Sequence, residues 1–537
     1  MNYPPLMSDE QLNNLAFDAS DWQLNHGSLL KVIDRAREDL VVAKPVGVTL
    51  FPTLFPRVLF NEALALQETY NKLYTAIAED EDWLQTTLRA LIETDLLADV
   101  LWGIHLEVKE EGYVQAISLG IFRSDYMLHV QPAVPGGSRQ DIQIKQVEFN
   151  TISCAGGVHG NKVSDMHRYL HRTGSHSPQK LSTRPVGLSM SNYPLNHTIT
   201  SLISALSAAH EEYGASRSSN VSQTCTVFIV QPNNFNIADE RPIEYALWGQ
   251  SPPIPTYRIM FGQDVLESLS LTPTRELLYL PPNRPSSDPP LEVSVIYLRA
   301  GFEVIEYDEV GRACRLLLER SRAIKCPSIL SHLTTFKKVQ QELTMPETLE
   351  RYLSVEEAAK IAKTFAPILP MDESHLGLRA RELAMNPRAA KGYILKPSLE
   401  GGGHNVYGVD IPKFINEIPP ESFSSYILME KITSPLLYNI LVSPRGTHEG
   451  PVISELGVFG FCLWKRNESR HPSDGGLHEK AEIVRDLKPS WSFKTKSANV
   501  NEMSVVKGYG CFDSPALVDR ETFANHCRQN TQGKSSE

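Results

Sequence analysis

The sequence predicts a mixed α/β (α+β) fold with a helical N-terminal portion, and three observations support it. Apolar residues recur at three- and four-residue spacing in 61–78 and 82–100, which is typical of amphipathic helices. The pattern changes to short apolar runs at 114–121 and 142–150, and similar runs dominate from residue 393 onward, as expected of strands. The composition, 41% hydrophobic and 21% charged, indicates a folded globular protein, and 537 residues suggest roughly two to four structural units.

The remaining elements follow from the same signals. Residues 195–213 return to a helical pattern, and the apolar runs at 226–230, 256–261 and 293–298 alternate with proline-rich segments, as in a small α/β unit. We further predict a polar surface loop at 173–184, helices at 312–322 and 347–364, strands at 393–396, 425–430, 437–442 and 451–461, and peripheral or mobile segments at 465–490 and 520–537.

Charge and cysteine usage exclude several classes of protein. The net charge is −11 and no basic block is present, so we expect no nucleic-acid partner. We expect no membrane partner either, because no run of about 18 apolar residues and no secretory signal is seen. The seven cysteines are dispersed, odd in number and never in a C-x-x-C pair, which favours reduced thiols over a disulfide framework or a zinc site. The cytoplasm is the expected compartment.

The segment 393–408, YILKPSLEGGGHNVYG, has the composition of a phosphate-binding loop. A predicted strand ends at Lys396, and Gly401, Gly402 and Gly403 follow Glu400. Adjacent glycines let the backbone approach a phosphate and direct N–H groups at it, while the lysine supplies a positive charge. The carboxylate is a hard oxygen ligand suited to Mg²⁺. The chain contains neither a Walker A motif nor G-x-G-x-x-G, so a flexible hairpin remains the alternative.

Two polar residues at the end of the predicted strand 142–150 could hold a metal. Side chains two apart on a strand share a face, so Glu148 and Asn150 project together. A carboxylate beside an amide oxygen makes half of a magnesium coordination shell. The alternative is a strand end with two exposed polar residues.

Further acids stand in apolar strands. Glu455 lies alone within 453–459, and such a residue is seldom buried without a partner. Together with Glu430 in 427–432 it suggests a nucleotide-binding cleft. Two side chains near this second acid are available to pack an adenine, Met429 and Ile432.

The candidate basic residues are Arg123, Lys337, Lys338, Lys396 and Lys496. Any one of them alone could be a solvated surface charge.

A metal-binding face is conceivable at His167 and His171, four apart on a predicted helix. Without a third ligand nearby, an ordinary surface helix is favoured.

Taken in order, these motifs resemble the eukaryotic glutathione synthetases, a family of ATP-grasp ligases, over nearly the whole chain. The matching runs are 18–22, 26–27, 51–57, 70–71, 123–129, 147–153, 316–321, 325–327, 337–341, 396–397, 400–405, 426–432 and 454–457. The resemblance implies an ATP-grasp fold, with a main body of residues 1–222 and 335–537 and an inserted, smaller α/β substrate domain at 223–334. It also implies a homodimer.

The resemblance implies a reaction in two steps. The carboxylate of a γ-glutamyl dipeptide attacks the γ-phosphate of ATP, and the amine of glycine then attacks the acyl phosphate. Arg123 and Lys496 are implied as catalytic groups near the transferring phosphoryl. One or two Mg²⁺ ions are implied at Glu148, Asn150 and Glu400. The implied ATP contacts are Glu148, Lys337, Lys396, Glu400, Gly401, Gly402, Gly403, Asn405, Tyr407, Met429, Glu430, Lys431, Ile432, Glu455 and Lys496.

The residues implied to hold the dipeptide and the amino acid depart from the family pattern. They are Arg123, Ile152, Ser153, Cys154, Ala155, Asn234, Asn236, Glu240, Arg299, Phe302, Lys494, Val505 and Val506. The family's Glu-x-Asn…Gln reads Asn234, Asn236 and Glu240 here, which exchanges an acid for an amide and an amide for an acid. The family's Arg-x-Gly-Tyr keeps Arg299 but ends in Phe302.

The loops that border the acceptor also differ. The family's Ser-x-Ser loop is Ser153, Cys154 and Ala155, one residue shorter, and its Arg-Thr-Lys begins with Lys494. Lysine cannot grip a carboxylate bidentately as arginine does. The Gly-Gly-Val-Ala-Ala-Gly lid reads MSVVKG at 503–508, which is bulkier and stiffer.

Three functions are therefore open. The first choice is glutathione synthetase, which makes glutathione, ADP and phosphate from ATP, γ-glutamylcysteine and glycine. The second is a related ligase with another amino-acid or peptide substrate, possibly in specialised metabolism. The third is a nucleotide-binding pseudoenzyme, against which the retained ATP and magnesium residues argue.

Overall fold

We describe the protein from a computed structural model. The structure describes residues 3–34, 40–131, 141–177, 187–219, 221, 223–232, 234–285, 288–398, 404–467 and 481–532.

Polar residues that accept hydrogen bonds from first-turn amides begin many of the helices. Ser354 accepts a hydrogen bond from Glu357 N at 3.3 Å, and the carboxylate of that glutamate accepts one from Ser354 N at 2.9 Å. The helices are α1 (Asp9–His26), α2 (Arg57–Ala78), α3 (Glu81–Thr94), α4 (Leu96–Glu111), α5 (Gly157–Arg172), α6 (Thr198–Tyr213), α7 (Ile237–Trp248), α8 (Gln263–Ser268), α9 (Glu309–Arg320), α10 (Ile329–Leu333), α11 (Lys337–Leu343), α12 (Pro346–Glu350), α13 (Val355–Ala362), α14 (His375–Met385), α15 (Ile411–Glu417) and α16 (Arg520–Gln532).

Two predicted helices are each divided in the structure. Asp95 separates α3 from α4 because it takes extended angles, φ −117° and ψ 118°, and its side chain accepts from Ala98 N. Ser354 separates α12 from α13 in the same way. The apolar spacing continues across both breaks, so periodicity alone does not reveal them.

The strands are β1 (Leu29–Asp34), β2 (Leu40–Pro45), β3 (Val48–Thr49), β4 (Thr53–Pro56), β5 (Ile117–Val130), β6 (Ile142–Asn150), β7 (Thr224–Val230), β8 (Thr256–Met260), β9 (Leu269–Leu271), β10 (Leu277–Tyr279), β11 (Leu291–Arg299), β12 (Ile324–Cys326), β13 (Ile368–Pro370), β14 (Tyr393–Pro397), β15 (Val406–Tyr407), β16 (Tyr426–Glu430), β17 (Leu437–Ser443), β18 (Gly446–Arg466), β19 (Ala481–Ser497), β20 (Gly510–Asp513) and β21 (Pro515–Val518). The predicted mixed α/β class is confirmed.

Within the described residues, one large sheet has the strand order β17-β3-β20-β19-β18-β5-β12-β11-β10-β9. Three further strands join it: β6 pairs with β5, β7 pairs with β11, and β8 pairs with β7. Strands β18, β19 and β5 are antiparallel neighbours, whereas β12, β11, β7 and β8 run parallel. The predicted inserted domain at 223–334 contributes β7 to β12, and β12 pairs with β5 through Lys325 and Ser118. The division into domains stays a prediction.

A second, four-stranded sheet has the order β13-β16-β14-β15. One face packs against α14 and α15 through buried apolar side chains that include Leu395, Ala380 and Ile415. The opposite face meets the large sheet, since Met429 packs against Met127 of β5. The meeting of these two sheets positions the site described below.

Strand β19 was not predicted. Its first nine residues, 481–489, are all exposed or half-buried, so they have the polar composition of a surface segment. They pair with the outer end of β18, for example Arg485 with Leu463. The predicted peripheral segment at 465–490 is therefore peripheral over 481–489 but forms a paired strand there, and 468–480 lie outside the described residues.

The C-terminal segment also differs from the sequence-based expectation. Residues 520–532 form α16, in which Phe523 is fully buried. Apart from Phe523 and the buried His526, this helix is polar and has low overall hydropathy, which explains the prediction of a mobile tail. Residues 533–537 lie outside the described residues.

One of the two histidines predicted as a possible metal face on α5, His167, is part of the buried core. His167 is fully buried, donates from Nε2 to Thr49 O at 2.8 Å and accepts the Ser514 hydroxyl at Nδ1 at 2.8 Å. Burial lowers the pKa of His167 to about 4, so the ring is neutral and both nitrogens are engaged. The helix expected at the surface is therefore buried along most of its length, with ten of its sixteen residues buried, while Tyr169 on its outer face is 49% exposed.

Candidate active site

A cavity of about 760 Å³ lies between the small sheet and strands β5, β6, β18 and β19 of the large sheet. Further walls come from residues 302–305 and 500–507. Of the residues predicted to bind ATP, dipeptide or metal, those that line it are Arg123, Glu148, Ala155, Asn236, Phe302, Lys396, Asn405, Tyr407, Met429, Glu430, Lys431, Ile432, Glu455, Lys494, Lys496, Val505 and Val506.

One end of the cavity is apolar. Met429 and Ile432 are buried there, as expected of residues that could pack an adenine. Met127 and Val147 reach the same place from the large sheet, and Ile453 completes the wall. The sequence did not single out these last three residues.

A carboxylate surrounded by cations lies next to this apolar end. Lys337 Nζ is 3.8 Å from Glu148 Oε2, and Lys396 Nζ donates to Val147 O at 2.9 Å. Burial favours the neutral carboxyl, but the cations Lys337, Lys396, Arg123 and Lys494 outweigh it and lower the pKa of Glu148 to about 2. Burial lowers the pKa of Lys396 to about 8, opposed by the charge of Glu148.

Arg123 is fixed in place by a bidentate ion pair. Its Nε and Nη2 each lie 2.7 Å from an oxygen of Asp125, and its Nη1 donates to Ala155 O at 3.0 Å. Gly457 of β18 leaves room for the pair, since a Cβ there would lie 2.7 Å from Asp125 Oδ1. Asp125 was not predicted as a site residue, although residues two apart in a strand share a face.

The predicted metal residues fit Mg²⁺ chemically. Asn150 Nδ2 donates to Asp125 Oδ2 at 3.1 Å, and among the described residues no donor reaches Asn150 Oδ1. That oxygen and the ionised Glu148 are hard ligands, and Mg²⁺ completes its shell with phosphates and waters rather than with an all-protein cage. The described residues contain no cluster of three or more His, Cys, Asp or Glu suited to a metal. Glu400 lies outside the described residues, as do Gly401, Gly402 and Gly403.

The segment after the glycine-rich loop meets the segment after β19. Tyr407 Oη lies 3.4 Å from Asn405 Nδ2, from Asn501 O and from Glu502 Oε1. Lys496 Nζ donates to Asn501 O at 2.8 Å. The two segments therefore contact each other where both line the cavity, and Lys496 is bound to the second of them.

The predicted acceptor residues lie on strand β19 and on the segment that follows it. Lys494 Nζ is 2.7 Å from Glu455 Oε1, across the register of β19 with β18. Val505 is buried and Val506 is partly exposed, and both line the cavity. Arg445 holds the same segment from outside, donating from Nη2 to Lys507 O at 2.8 Å.

The predicted dipeptide residues divide into two groups. Asn236, Phe302 and Ala155 reach the cavity wall, together with Arg123. The others are not among the residues that line the cavity: Ile152, Ser153, Cys154, Asn234, Glu240 and Arg299. The structure therefore does not bring the buried polar members of this set to the surface where a substrate would lie.

Two further residues of this region were missed in the sequence. Asp239 accepts hydrogen bonds from Gly156 N at 2.8 Å and Val158 N at 3.0 Å, and so caps α5 beside the cavity. Arg258 Nη1 lies 3.0 Å from Glu240 Oε2. Neither contact has a local signal, because each joins residues far apart in the chain.

Among the described residues, no helix is long and apolar enough to cross a membrane. All seven cysteines are free thiols in the structure.

Comparisons with known proteins cover almost the whole chain. A family model described as "Eukaryotic glutathione synthase, ATP binding domain" matches residues 9–517. The glutathione synthetase large chain of Schizosaccharomyces pombe is 31% identical over 527 residues, which cover 95% of this chain and 98% of that protein. Human glutathione synthetase is 34% identical over 522 residues, which cover 96% and 99% of the two chains.

A solved structure shares the fold. It is the apo form of a glutathione synthetase-like effector, GSS30, from Globodera pallida, and it superposes with a TM-score of 0.69 over 96% of this chain and 98% of that one. The identity of 20% limits this similarity to the fold alone.

Proposed function

Since this chain belongs to the eukaryotic glutathione synthetase family, a family of ATP-dependent ligases, we propose that it joins a carboxylate to an amine through an acyl phosphate. The proposal includes an ATP-grasp fold with ATP held between the two sheets. One observation carries it. A single cavity combines an apolar end with an ionised carboxylate, Glu148, that faces four cations, Lys337, Lys396, Arg123 and Lys494.

The first step is phosphoryl transfer. A donor carboxylate oxygen bonds to the γ-phosphorus, and the bond from that phosphorus to the β–γ bridging oxygen breaks to release ADP. Such a transfer needs mainly positioning and charge neutralisation. Arg123, Lys396 and Lys496 provide the positive charge. The ion pair with Asp125 holds the Arg123 guanidinium in place before substrate arrives.

Mg²⁺ held by Glu148, Asn150 and Glu400 would neutralise the phosphate oxygens when bound.

The second step forms the amide. The acceptor nitrogen attacks the acyl carbon, the bond from that carbon to the phosphate oxygen breaks, and the amine loses a proton. Water would destroy the acyl phosphate, so the cavity must be covered. The contacts of Tyr407 with Asn501 and Glu502 join the segment after the glycine-rich loop to the segment after β19.

The family suggests γ-glutamylcysteine as donor and glycine as acceptor, which would make the protein a glutathione synthetase. A second candidate is a ligase for another amino acid or peptide. It is favoured by a specific observation: Glu240 and Arg299, expected to bind the dipeptide, are buried and paired with each other.

The experiment is a coupled assay of ADP release with ATP, Mg²⁺, a panel of dipeptide donors and the acceptors glycine, alanine, serine and β-alanine. We expect ADP release that requires both a donor and an acceptor. Nucleotide binding with no ADP release for any pair would contradict the proposal and favour a pseudoenzyme.

We also propose that the protein works in the cytosol as a homodimer. Free thiols suit a reducing compartment. Phe17 and Leu24 of α1 and Val41 of β2 are 70%, 52% and 58% exposed, and such apolar side chains suit an interface. Light scattering should give twice the mass of one chain; the mass of a single chain would contradict the dimer.

A further inference from the structure

Strands β5 and β6 place four polar side chains on the same face of the large sheet. In the register of the two strands, Arg123 stands directly opposite Asn150. Asp125 stands directly opposite Glu148. Residues that face each other in an antiparallel pair share a face, and so do residues two apart along one strand. The predicted catalytic arginine and both predicted metal ligands of β6 are therefore neighbours of Asp125.

The Asp125 carboxylate is shared between two of these neighbours. Its Oδ1 accepts from Arg123 Nε at 2.7 Å, and its Oδ2 accepts from Arg123 Nη2 at 2.7 Å and from Asn150 Nδ2 at 3.1 Å. The residue is only 1% exposed, so bulk water does not compete with either partner. Among the described residues, no other side chain donates to this carboxylate. One acid therefore fixes both a cation and an amide of the site.

The carboxylate decides which way the Asn150 amide points. Turning the last torsion of an asparagine by half a turn exchanges its oxygen and its nitrogen, and the side chain alone has no strong preference. A carboxylate only accepts hydrogen bonds, so it holds the nitrogen and would repel the oxygen. Arg123 O also accepts from Asn150 Nδ2, at 3.4 Å. With Nδ2 held by two acceptors, Oδ1 is left on the other side of the amide, as the atom able to bind a metal.

Gly457 of β18 leaves the room that this carboxylate needs. It faces Asp125 from the neighbouring strand. A Cβ at this position would lie 2.7 Å from Asp125 Oδ1 and 3.0 Å from Arg123 Cδ, both closer than an ordinary contact. An alanine would therefore displace the carboxylate while leaving every charge of the site in place.

We propose that Asp125 is a positioning residue of the metal site: it holds the Asn150 amide so that Oδ1 stays available to Mg²⁺. The inference rests on the magnesium site of the proposed function. Removing the partner that orients a metal ligand lowers metal affinity or activity by about 10- to 100-fold in characterised sites. The same carboxylate keeps Arg123 in place, so the orientation of a metal ligand and that of the cation near the transferring phosphoryl depend on one residue.

The test measures how strongly Mg²⁺ tightens ATP binding in the absence of donor and acceptor, so that no turnover is needed. Calorimetry gives the Kd of ATP in EDTA and in excess Mg²⁺, and the ratio of the two values is compared between variants. Loss of a general ATP contact changes both values and largely cancels in the ratio. In Asp125→Asn the amide of Asn150 can turn, so we expect the ratio to fall by about tenfold or more. An unchanged ratio would overturn the inference.

A double-mutant cycle with Asn150→Ala separates positioning from charge. If Asp125 acts through the amide, Asp125→Asn should change the ratio by less than about threefold once the amide has been removed. An equal fall in both backgrounds would mean that only the charge of Asp125 matters, and would overturn the inference.

The variant Gly457→Ala removes no charge and should also lower the ratio, because its Cβ displaces the carboxylate. It decides the question if Asp125→Asn does not fold, and a ratio like that of the wild type would then contradict the positioning role.

The matched control is Asp80→Asn. Asp80 is 1% exposed and is paired with Arg351, whose Nε and Nη2 lie 3.0 Å and 2.6 Å from Asp80 Oδ2. It is not among the residues that line the cavity. We expect this control to keep the wild-type ratio, and a fall as large as that of Asp125→Asn would overturn the inference.

The wild-type protein separates this inference from the proposed function. If Mg²⁺ does not change the Kd of ATP there, the inference is wrong together with the proposed magnesium site. ADP release in the coupled assay decides the ligase function independently of both.

Discussion

Lys494 Nζ lies 2.7 Å from Glu455 Oε1, which joins a residue of the predicted acceptor site to one of the predicted nucleotide site. The two face each other in the register of β19 with β18, so backbone pairing holds the contact in place. A lysine offers a single point of charge, and here a carboxylate already shares it. An acceptor carboxylate must therefore compete with Glu455 for this ammonium.

The variant Lys494→Arg should bind a glycine-like acceptor more tightly. A guanidinium has a fork of donors, so it can keep one on Glu455 and offer others to the acceptor. We expect the KM of the acceptor to fall by about threefold to tenfold, equivalent to about 1 kcal/mol, at saturating ATP and donor. The control Lys494→Met should raise it. An unchanged KM in the arginine variant would place the acceptor carboxylate elsewhere.

The variant Lys396→Met should stop turnover without unfolding the protein. It removes a charge next to the transferring phosphoryl, for which we expect a loss of about 10²- to 10³-fold in kcat. Three cations, Lys337, Arg123 and Lys494, still face Glu148 in this variant, so the carboxylate does not lose all its partners and we expect the fold to be retained. The control is Lys413→Met, which removes an exposed lysine of α15, the helix that packs against the same small sheet. A rate like that of the wild type would exclude Lys396 from the site.

The pH dependence of kcat/KM for ATP should reflect the ionisation of Lys396. Burial lowers the pKa of Lys396 to about 8, so the free enzyme loses this positive charge above that pH. We expect kcat/KM for ATP to fall above about pH 8, because this ratio reflects ionisations of the free enzyme. In Lys396→Arg the guanidinium stays protonated, so the decline should disappear. A wild-type profile that stays level to pH 10 would contradict the assignment.

Asp513 should make stability depend on pH. It is fully buried and accepts hydroxyl hydrogen bonds from Thr49 at 2.7 Å and Thr495 at 2.6 Å. Thr495 lies between Lys494 and Lys496, so this acid supports the strand that carries both. Burial raises the pKa of Asp513 to about 6, against about 3.9 in an unfolded chain.

The sign follows from proton binding by Asp513. Between pH 4 and 6 the folded state binds more protons than the unfolded state, so the free energy of unfolding falls as pH rises. About two pKa units correspond to about 3 kcal/mol, present below pH 4 and lost by pH 6. Asp513→Asn should remove this dependence in urea unfolding measured from pH 4 to 7. A wild type and a variant whose stabilities change in parallel would contradict it.

The sequence predicted the elements whose signals are local. Strand β6 was predicted with its observed bounds, and Lys396 was expected at the end of a strand, where β14 places it. Both predictions depend on apolar runs and on the residues just beyond them. The helix break at Asp95 and the half-exposed start of β19 were not predicted. A helix cap leaves the apolar spacing unchanged, and an exposed strand edge has no apolar run.

The candidate site, like the fold, could be predicted where its residues have a local signal. The acids and lysines on strands were predicted as candidate site residues, and the family resemblance assigned them to ATP, metal or substrate. The burial of Glu240 between Arg258 and Arg299 could not be predicted, because it depends on a helix and two strands brought together by the fold. The Arg123–Asp125 pair could have been predicted, because side chains two residues apart in a strand share a face.

The most direct test of acyl-phosphate chemistry follows an oxygen atom. A donor dipeptide carries ¹⁸O in the carboxylate that is to be joined, and the products are examined by mass spectrometry after reaction with ATP, Mg²⁺ and an acceptor. The mechanism predicts one ¹⁸O in the released phosphate for each amide formed, because that oxygen remains on phosphorus when the acyl bond breaks. Amide formation with unlabelled phosphate would contradict the account.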